Sequence, residues 1–183
     1  MIHRCFPKDF YIKFEIPNYD ELLEFCEKKT EVNNEKFTWG ADCNLDRVPL
    51  DAEETSSIIG PSVQQFAKIL GKDFGCYSSD PWINHYTRGS YQEVHSHSEN
   101  DFASVFLLND GEEFSQFYFY NEVSMAESRW SHVVPEIANS QIYPMLTEGE
   151  VIFFPGWLQH GVTPHKSDIV RKTLACNYNF AFN

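Results

Sequence analysis

From Trp82 onward the chain breaks into short runs of aromatic and β-branched residues separated by turn formers, and this pattern constrains the fold more than any other feature. The runs cover 82–87, 91–97, 102–108, 114–120, 151–154, 161–162 and 172–182, with Gly89 and Asn109-Asp110-Gly111 among the breaks. Such side chains fill a pleated, half-buried surface, so each run is expected as a strand. Short strands at close spacing predict an antiparallel barrel or sandwich, and 16 Phe in 183 residues supply its aromatic filling. Residues 121–144 interrupt the series with a segment too long for a simple hairpin, expected as a lid or binding loop in which Arg129, Trp130 and His132 could touch a substrate.

The first 80 residues read differently. Residues 10–16 form an expected strand ended by Pro17, and Asn18 with Glu21 three residues on predicts a capping box for a helix carrying Leu22, Leu23, Phe25 and Cys26, with Lys28 and Lys29 at its basic end. Residues 30–54 are polar and irregular apart from an apolar Trp39, and are expected as a long loop. A second helix is expected from Gly60-Pro61, or from Thr55, to Leu70, with Val63, Phe66, Ala67, Ile69 and Leu70 on its apolar face and Gly71 as its stop. The two helices should cover one side of a sheet. The fold class is therefore mainly β with N-terminal helices: one domain over 1–183, with 1–80 as helical and irregular support and 81–183 as the strand core.

Lysine and arginine number 14 against 27 acids, for a formal net charge of -13. A surface so acidic repels phosphate backbones and anionic membranes, which argues against nucleic acid as a partner. The five cysteines form no CxxC pair, the first residues lack the apolar core of a signal peptide, and no apolar run approaches the ~18 residues of a membrane span. Reduced thiols and a cytoplasmic location are expected.

Chemistry concentrates in two stretches. Tyr86-Thr-Arg-Gly-Ser-Tyr-Gln-Glu-Val-His95-Ser-His97 sets two histidines two residues apart, so on an extended strand both imidazoles leave the same face. Gly149-Glu-Val-Ile-Phe-Phe-Pro-Gly-Trp-Leu-Gln-His160 ends a second apolar run in a third histidine, and Arg171 and Thr173 follow it. An isolated HxH is more often a surface pair than a ligand set; His160 and Arg171 downstream reverse that balance. An arginine one strand past a metal ligand suits a carboxylate, because its fork of donors binds both oxygens. His3, His85 and His165 are expected to be structural or superficial.

The ordered set YxxG, HxH, FP…H and Arg resembles the 2-oxoglutarate and Fe(II)-dependent oxygenase superfamily over about residues 82–180, and within it a branch with histidine in the usual acid's place. The resemblance implies a double-stranded β-helix, or jelly-roll, core. It implies Fe(II) on His95, His97 and His160, with 2-oxoglutarate held by Arg171 and Thr173 and touched by Tyr86 and Asn84. The implied reaction is hydroxylation of a small molecule or peptide using dioxygen, with release of succinate and CO2. A homodimer is compatible with it. His97 departs from the usual Asp or Glu, so a three-histidine centre would lack one negative charge. Glu99 could complete an alternative HxE pair with His97, and Asp101 is a second acid within reach. Two other readings fit the residues. Gly89 and the HxH also match the start of a cupin motif, which implies a metal-dependent dioxygenase without 2-oxoglutarate. A non-catalytic jelly-roll binding module with incidental histidines is the other.

Overall fold

A computed structural model describes residues 9–32, 35–39, 43–121, 132–133 and 140–181. In chain order its elements are β1 (Ile12–Glu15), α1 (Tyr19–Val32), β2 (Glu35–Trp39), β3 (Cys43–Pro49), α2 (Ala52–Leu70), β4 (Gly75–Tyr86), β5 (Gln92–His95), β6 (Phe102–Leu107), β7 (Phe117–Tyr120), β8 (Gln141–Ile142), β9 (Glu150–Pro155), β10 (His160–Val162) and β11 (Arg171–Ala181). Seven strands form one sheet in the order β1-β9-β6-β11-β4-β3-β2, and four form a second in the order β5-β10-β7-β8. Every pairing is antiparallel. The expected class, mainly β with N-terminal helices, is what the chain adopts.

The larger sheet buries both faces, and its sequence shows how. On β9, Val151 and Phe153 join Leu22 and Cys26 of α1 and Ile59 and Phe66 of α2 in one core, while Ile152 and Phe154 join Phe117, Phe119 and Val162 of the smaller sheet in another. A strand covered on both sides reads as a continuous apolar run, which is why Val-Ile-Phe-Phe shows no alternation. Phe153 stacks on Phe66 with ring centroids 4.6 Å apart, joining α2 to the sheet. Strand β11 alternates instead: Leu174, Cys176 and Tyr178 face the helices, whereas Arg171, Thr173, Ala175 and Asn177 line a cavity between the sheets.

Several expectations are corrected in the first half. Residues 30–54 are not a loop, because α1 runs to Val32 and β2 and β3 pair as a hairpin, with β3 extending the sheet along β4. Helix α2 begins at Ala52, so Pro61 lies inside it rather than in its first turn. Its start is fixed by Asp51, whose carboxylate accepts the Glu54 amide at 2.9 Å, a cap worth about 1 kcal/mol. Its buried positions are Thr55, Ile59, Ser62 and Phe66, and Ile69 points outward. Gly71 ends it as expected, at φ 65, with its amide turned back to the last helical turn. Asn18 does not cap α1 through its side chain: its amide donates to the Ile58 carbonyl at 2.9 Å, tying the two helices together. Most of 121–144, including Arg129 and Trp130, lies outside the described residues, as do His3 and the side chain of Trp39. No helix among the described residues is long and apolar enough to cross a membrane.

Candidate metal centre

Two strand ends and a turn bring the histidines together. Strand β5 stops at His95, one pleat short of the expected run, and His97 follows in the next turn. His97 is held there by its backbone: its amide donates to Gly156 O at 2.8 Å and its carbonyl accepts the Asn100 amide at 2.8 Å. His160 opens β10 and stands in direct register with His95. One ligand atom from each imidazole lies within 4.8 Å of the other two. Glu99 is exposed, and the Asp101 carboxylate accepts the Phe180 amide at 2.7 Å, so neither acid belongs to this group.

The surroundings make the three rings suitable donors. Burial pushes His95 and His97 down to about 4 and His160 well below the ordinary imidazole range, so all three are neutral near pH 7 with a lone pair to give. His95 Nδ1 lies 2.7 Å from Glu93 O, and His160 Nδ1 lies 2.9 Å from Leu158 O. A carbonyl can only accept, so Nδ1 carries the proton in both rings and Nε2 is left to bind metal. Phe117 stacks on His160 at 5.4 Å and Phe154 meets it edge-on at 4.8 Å, closing the apolar side. Three neutral nitrogen donors from one side, backed by aromatic walls, fit a first-row divalent ion with open positions.

Opposite the triad, β11 and β4 present the remaining expected residues. Arg171 is 3% exposed, and its guanidinium lies over the Tyr86 ring at 4.8 Å. Its Nη1 is buried without a hydrogen-bond partner among the described residues. A buried guanidinium nitrogen left in that state calls for an anion, since burial of an unmatched charge is expensive. Tyr86 is fully buried, and burial raises its hydroxyl above the ordinary phenol range, so it stays protonated. Trp82 Nε1 donates to Asn84 Oδ1 at 2.9 Å, and Asn84 Nδ2 donates to Thr173 Oγ1 at 3.2 Å. Thr173 accepts from behind and so keeps its own proton to give. All of these side chains line one cavity with the triad.

A protein-family model described as "Putative 2OG-Fe(II) oxygenase" matches residues 80–177, more than half of the chain. The chain belongs to this family. Fe(II) and 2-oxoglutarate are the cofactor and cosubstrate that go with a 2OG-Fe(II) oxygenase, and the histidine triad is present for the metal. Among solved structures, an oxidoreductase of the 2OG-Fe(II) oxygenase family from Burkholderia pseudomallei is similar at TM-score 0.67 and 14% identity, over 92% of this chain and 84% of that one. A Pseudomonas putida prolyl-4-hydroxylase is similar at TM-score 0.65 and 11% identity, over 94% and 93%. HygX from Streptomyces hygroscopicus, solved with nickel, 2-oxoglutarate and hygromycin B, is similar at TM-score 0.67 and 11% identity, over 96% and 84%. These likenesses establish the double-stranded β-helix fold. No curated protein gives a significant match.

Two of the remaining histidines of this oxygenase are accounted for locally. His165 is buried, accepts the Ser115 amide at Nδ1 and faces Ile169 O from Nε2, so it braces a turn. His85 is buried beside Lys172 on the opposite face of β4 from the cavity. Two residues near the centre carried no expectation. Gly156 packs so closely beneath the His97 turn that a Cβ there would fall 2.1 Å from Asn100 O and 2.6 Å from His97 O. Its signal was the Phe-Pro-Gly sequence, in which only glycine fits such an approach. Arg47 lies over the Trp82 ring at 4.4 Å, and its strand was expected as loop.

Proposed function

We propose that this 2OG-Fe(II) oxygenase is a hydroxylase in which His95, His97 and His160 hold Fe(II) and Arg171, with Thr173, anchors the far carboxylate of 2-oxoglutarate. The carrying observation is the buried Arg171 Nη1, without a partner among the described residues, in the same cavity as the converging triad. A cupin dioxygenase without a dicarboxylate cosubstrate would give that nitrogen nothing to bind.

When bound, Fe(II) and 2-oxoglutarate supply activation of dioxygen coupled to oxidative decarboxylation of the 2-oxo acid to succinate and CO2. The chain's part is positional. The Tyr86 ring fixes the Arg171 guanidinium from one side, so its donors meet a planar carboxylate in one orientation. Thr173, oriented by Asn84, gives that carboxylate a further hydrogen bond. Tyr86 and Asn84 line the path between Arg171 and the histidines. Phe117, Phe154 and Trp82 keep water from the reacting side of the cavity. Hydroxylation needs nothing further from the protein: one oxygen atom of O2 enters a substrate C–H bond and the other enters succinate. Solved structures of this fold include an epimerase and a carbocyclase of nogalamycin biosynthesis, so the outcome has to be tested directly.

The test is an anaerobic titration of metal-free protein with Fe(II) and then 2-oxoglutarate, watching for the visible charge-transfer band of the chelate. The band is expected, lost in His160→Ala and weakened in Arg171→Ala. Iron binding with no band at saturating 2-oxoglutarate would overturn the cosubstrate assignment. A substrate screen by succinate release, with mass spectrometry for gain of one oxygen atom, then separates hydroxylation from other outcomes.

A further inference from the structure

A second cavity adjoins the first. Its volume is about 330 Å³, within the range of small-molecule pockets, and it is lined by the segment between β6 and β7 and by residues 143–147. Arg171 and Phe117 line both cavities, so one guanidinium stands in the wall between them. The histidine triad lines only the first, and a molecule in the second is kept from the metal site by that wall.

The second cavity holds unmet hydrogen-bonding capacity at its base. Ser115 is 4% exposed, and its Oγ is buried without a partner among the described residues. The Ser115 amide donates to His165 Nδ1 at 3.1 Å, which pins the residue beside the cavity and leaves the hydroxyl to be met by something else. A buried hydroxyl in that state costs free energy until a ligand pairs with it. Arg171, equally buried, stands at the same base, and a guanidinium carries more N–H donors than one carboxylate takes up.

The rim has the opposite charge. Asp110 and Glu113 line the cavity and are exposed. The rim backbone is also held in an uncommon conformation. Of the three non-glycine residues with positive φ among the described residues, Glu113 at φ 60 and Met145 at φ 50 both line this cavity. Strain of this kind concentrates where a ligand is clamped.

Donors at the base and carboxylates at the mouth select by charge. A dianion would meet Arg171 and be repelled by the rim, whereas an amine would meet the rim and leave Arg171 and Ser115 unmatched. A zwitterion with its carboxylate inward satisfies both ends. We propose that the second cavity binds a free amino acid, its carboxylate on Arg171 and Ser115 Oγ and its ammonium toward Asp110 and Glu113, and that occupancy weakens 2-oxoglutarate binding across the wall. The weakening follows because two carboxylates then share one guanidinium and repel each other. The coupling rests on the cosubstrate reading above, whereas the site itself does not.

The test begins with the full chain stripped of metal on a chelating resin, so that no amino acid can bind through an ion. Calorimetry is run with the common L-amino acids, each beside its N-acetyl derivative and its primary amide. At least one amino acid is expected to bind where its two derivatives, each lacking one charge, do not. Ser115→Ala should weaken it by about tenfold, and Glu113→Gln, a change at an exposed position, should weaken it as well. In Ni(II)-loaded protein the same amino acid at saturation should raise the Kd of 2-oxoglutarate by about fivefold or more, to a plateau, and Ser115→Ala should need more of it for the same effect. No binding to the stripped protein, derivatives equal to the amino acid, or unchanged affinity in both variants would each overturn the site. An unchanged 2-oxoglutarate Kd would overturn the coupling, as would a rise without a plateau, which marks displacement at the metal. If Ni(II)-loaded wild type binds no 2-oxoglutarate at all, the oxygenase reading fails and the coupling with it, while the titration of stripped protein still decides the site.

Discussion

His95 and His160 are direct register partners across the pairing of β5 and β10, with ring centroids 4.3 Å apart. The strands that carry them are short, four and three residues, and their register shifts between His160 and Val162. A metal held by both rings would therefore close one edge of the smaller sheet as well as form the centre.

Metal should accordingly stabilise the fold. At a free ion concentration of about 100 times Kd, the gain is about 2.7 kcal/mol, read as a rise in melting temperature with Ni(II) against EDTA. In His160→Ala the rise should vanish, and calorimetry should show metal affinity reduced by at least about 100-fold, since outer-shell changes alone cost 10–100-fold. A variant that kept the metal-dependent rise would remove His160 from the ligand set.

Arg171 offers a sharper distinction, between charge and shape. Arg171→Lys keeps the positive charge but loses the planar fork and its seat on the Tyr86 ring. The 2-oxoglutarate KM is expected to rise by about 10-fold or more in Arg171→Lys as well as in Arg171→Ala, with Fe(II) affinity unchanged. Equal KM in wild type and Arg171→Lys would reduce the residue to a point charge.

The residues at the centre were legible because their chemistry demands particular types at particular spacings. His95 with His97, then His160, then Arg171 with Thr173, were picked out in the sequence, and all line one cavity. What was not legible follows from the same chemistry. Strand β3, Cys-Asn-Leu-Asp-Arg-Val-Pro, lacks an apolar alternation because one inward position is Arg47 rather than an aliphatic residue. A polar residue at an inward position erases the period-2 signal by which a strand is recognised. The start of α2 was hidden by Pro61, which reads as a first-turn residue, although Asp51 followed three residues on by Glu54 was an available cap signal. Asn18 failed as a cap for a reason no local pattern contains: the Ile58 carbonyl, 40 residues away, is its partner.

Gly156 should be the most sensitive position that is not itself a ligand. Its Cβ would collide with the carbonyls of Asn100 and His97, both backbone atoms that no side-chain rotation can move. Gly156→Ala must displace the turn that carries His97, and the hydrogen bond from His97 N to Gly156 O goes with it. The expected result is a folded protein by circular dichroism, with metal affinity reduced by about 10-fold or more. Wild-type affinity in Gly156→Ala would mean that His97 is not held through this contact.

Acid should unfold the metal-free protein through the same histidines. Burial holds His95 and His97 at about 4 in the folded chain, against an ordinary 6.5, and holds His160 well below 6.5 as well. His85, lowered chiefly by burial, acts in the same direction. A folded pKa below the unfolded one means that the unfolded chain binds more protons at acid pH. Above about pH 7.5 the rings are essentially neutral in both states and add no pH dependence. As pH falls from there to about 4, protonation favours the unfolded chain, and His95 and His97 each cost on the order of 3 kcal/mol by the acid end of that window. Urea unfolding in EDTA from pH 7 to pH 4.5 should therefore show a midpoint that falls steadily, with a shallower fall in His97→Gln. Because metal needs the same lone pairs, saturating Ni(II) at pH 7 should add stability that disappears across this window as protons displace the ion. An apo midpoint that stays flat to pH 4.5 would show that water reaches the rings and that burial does not hold them neutral.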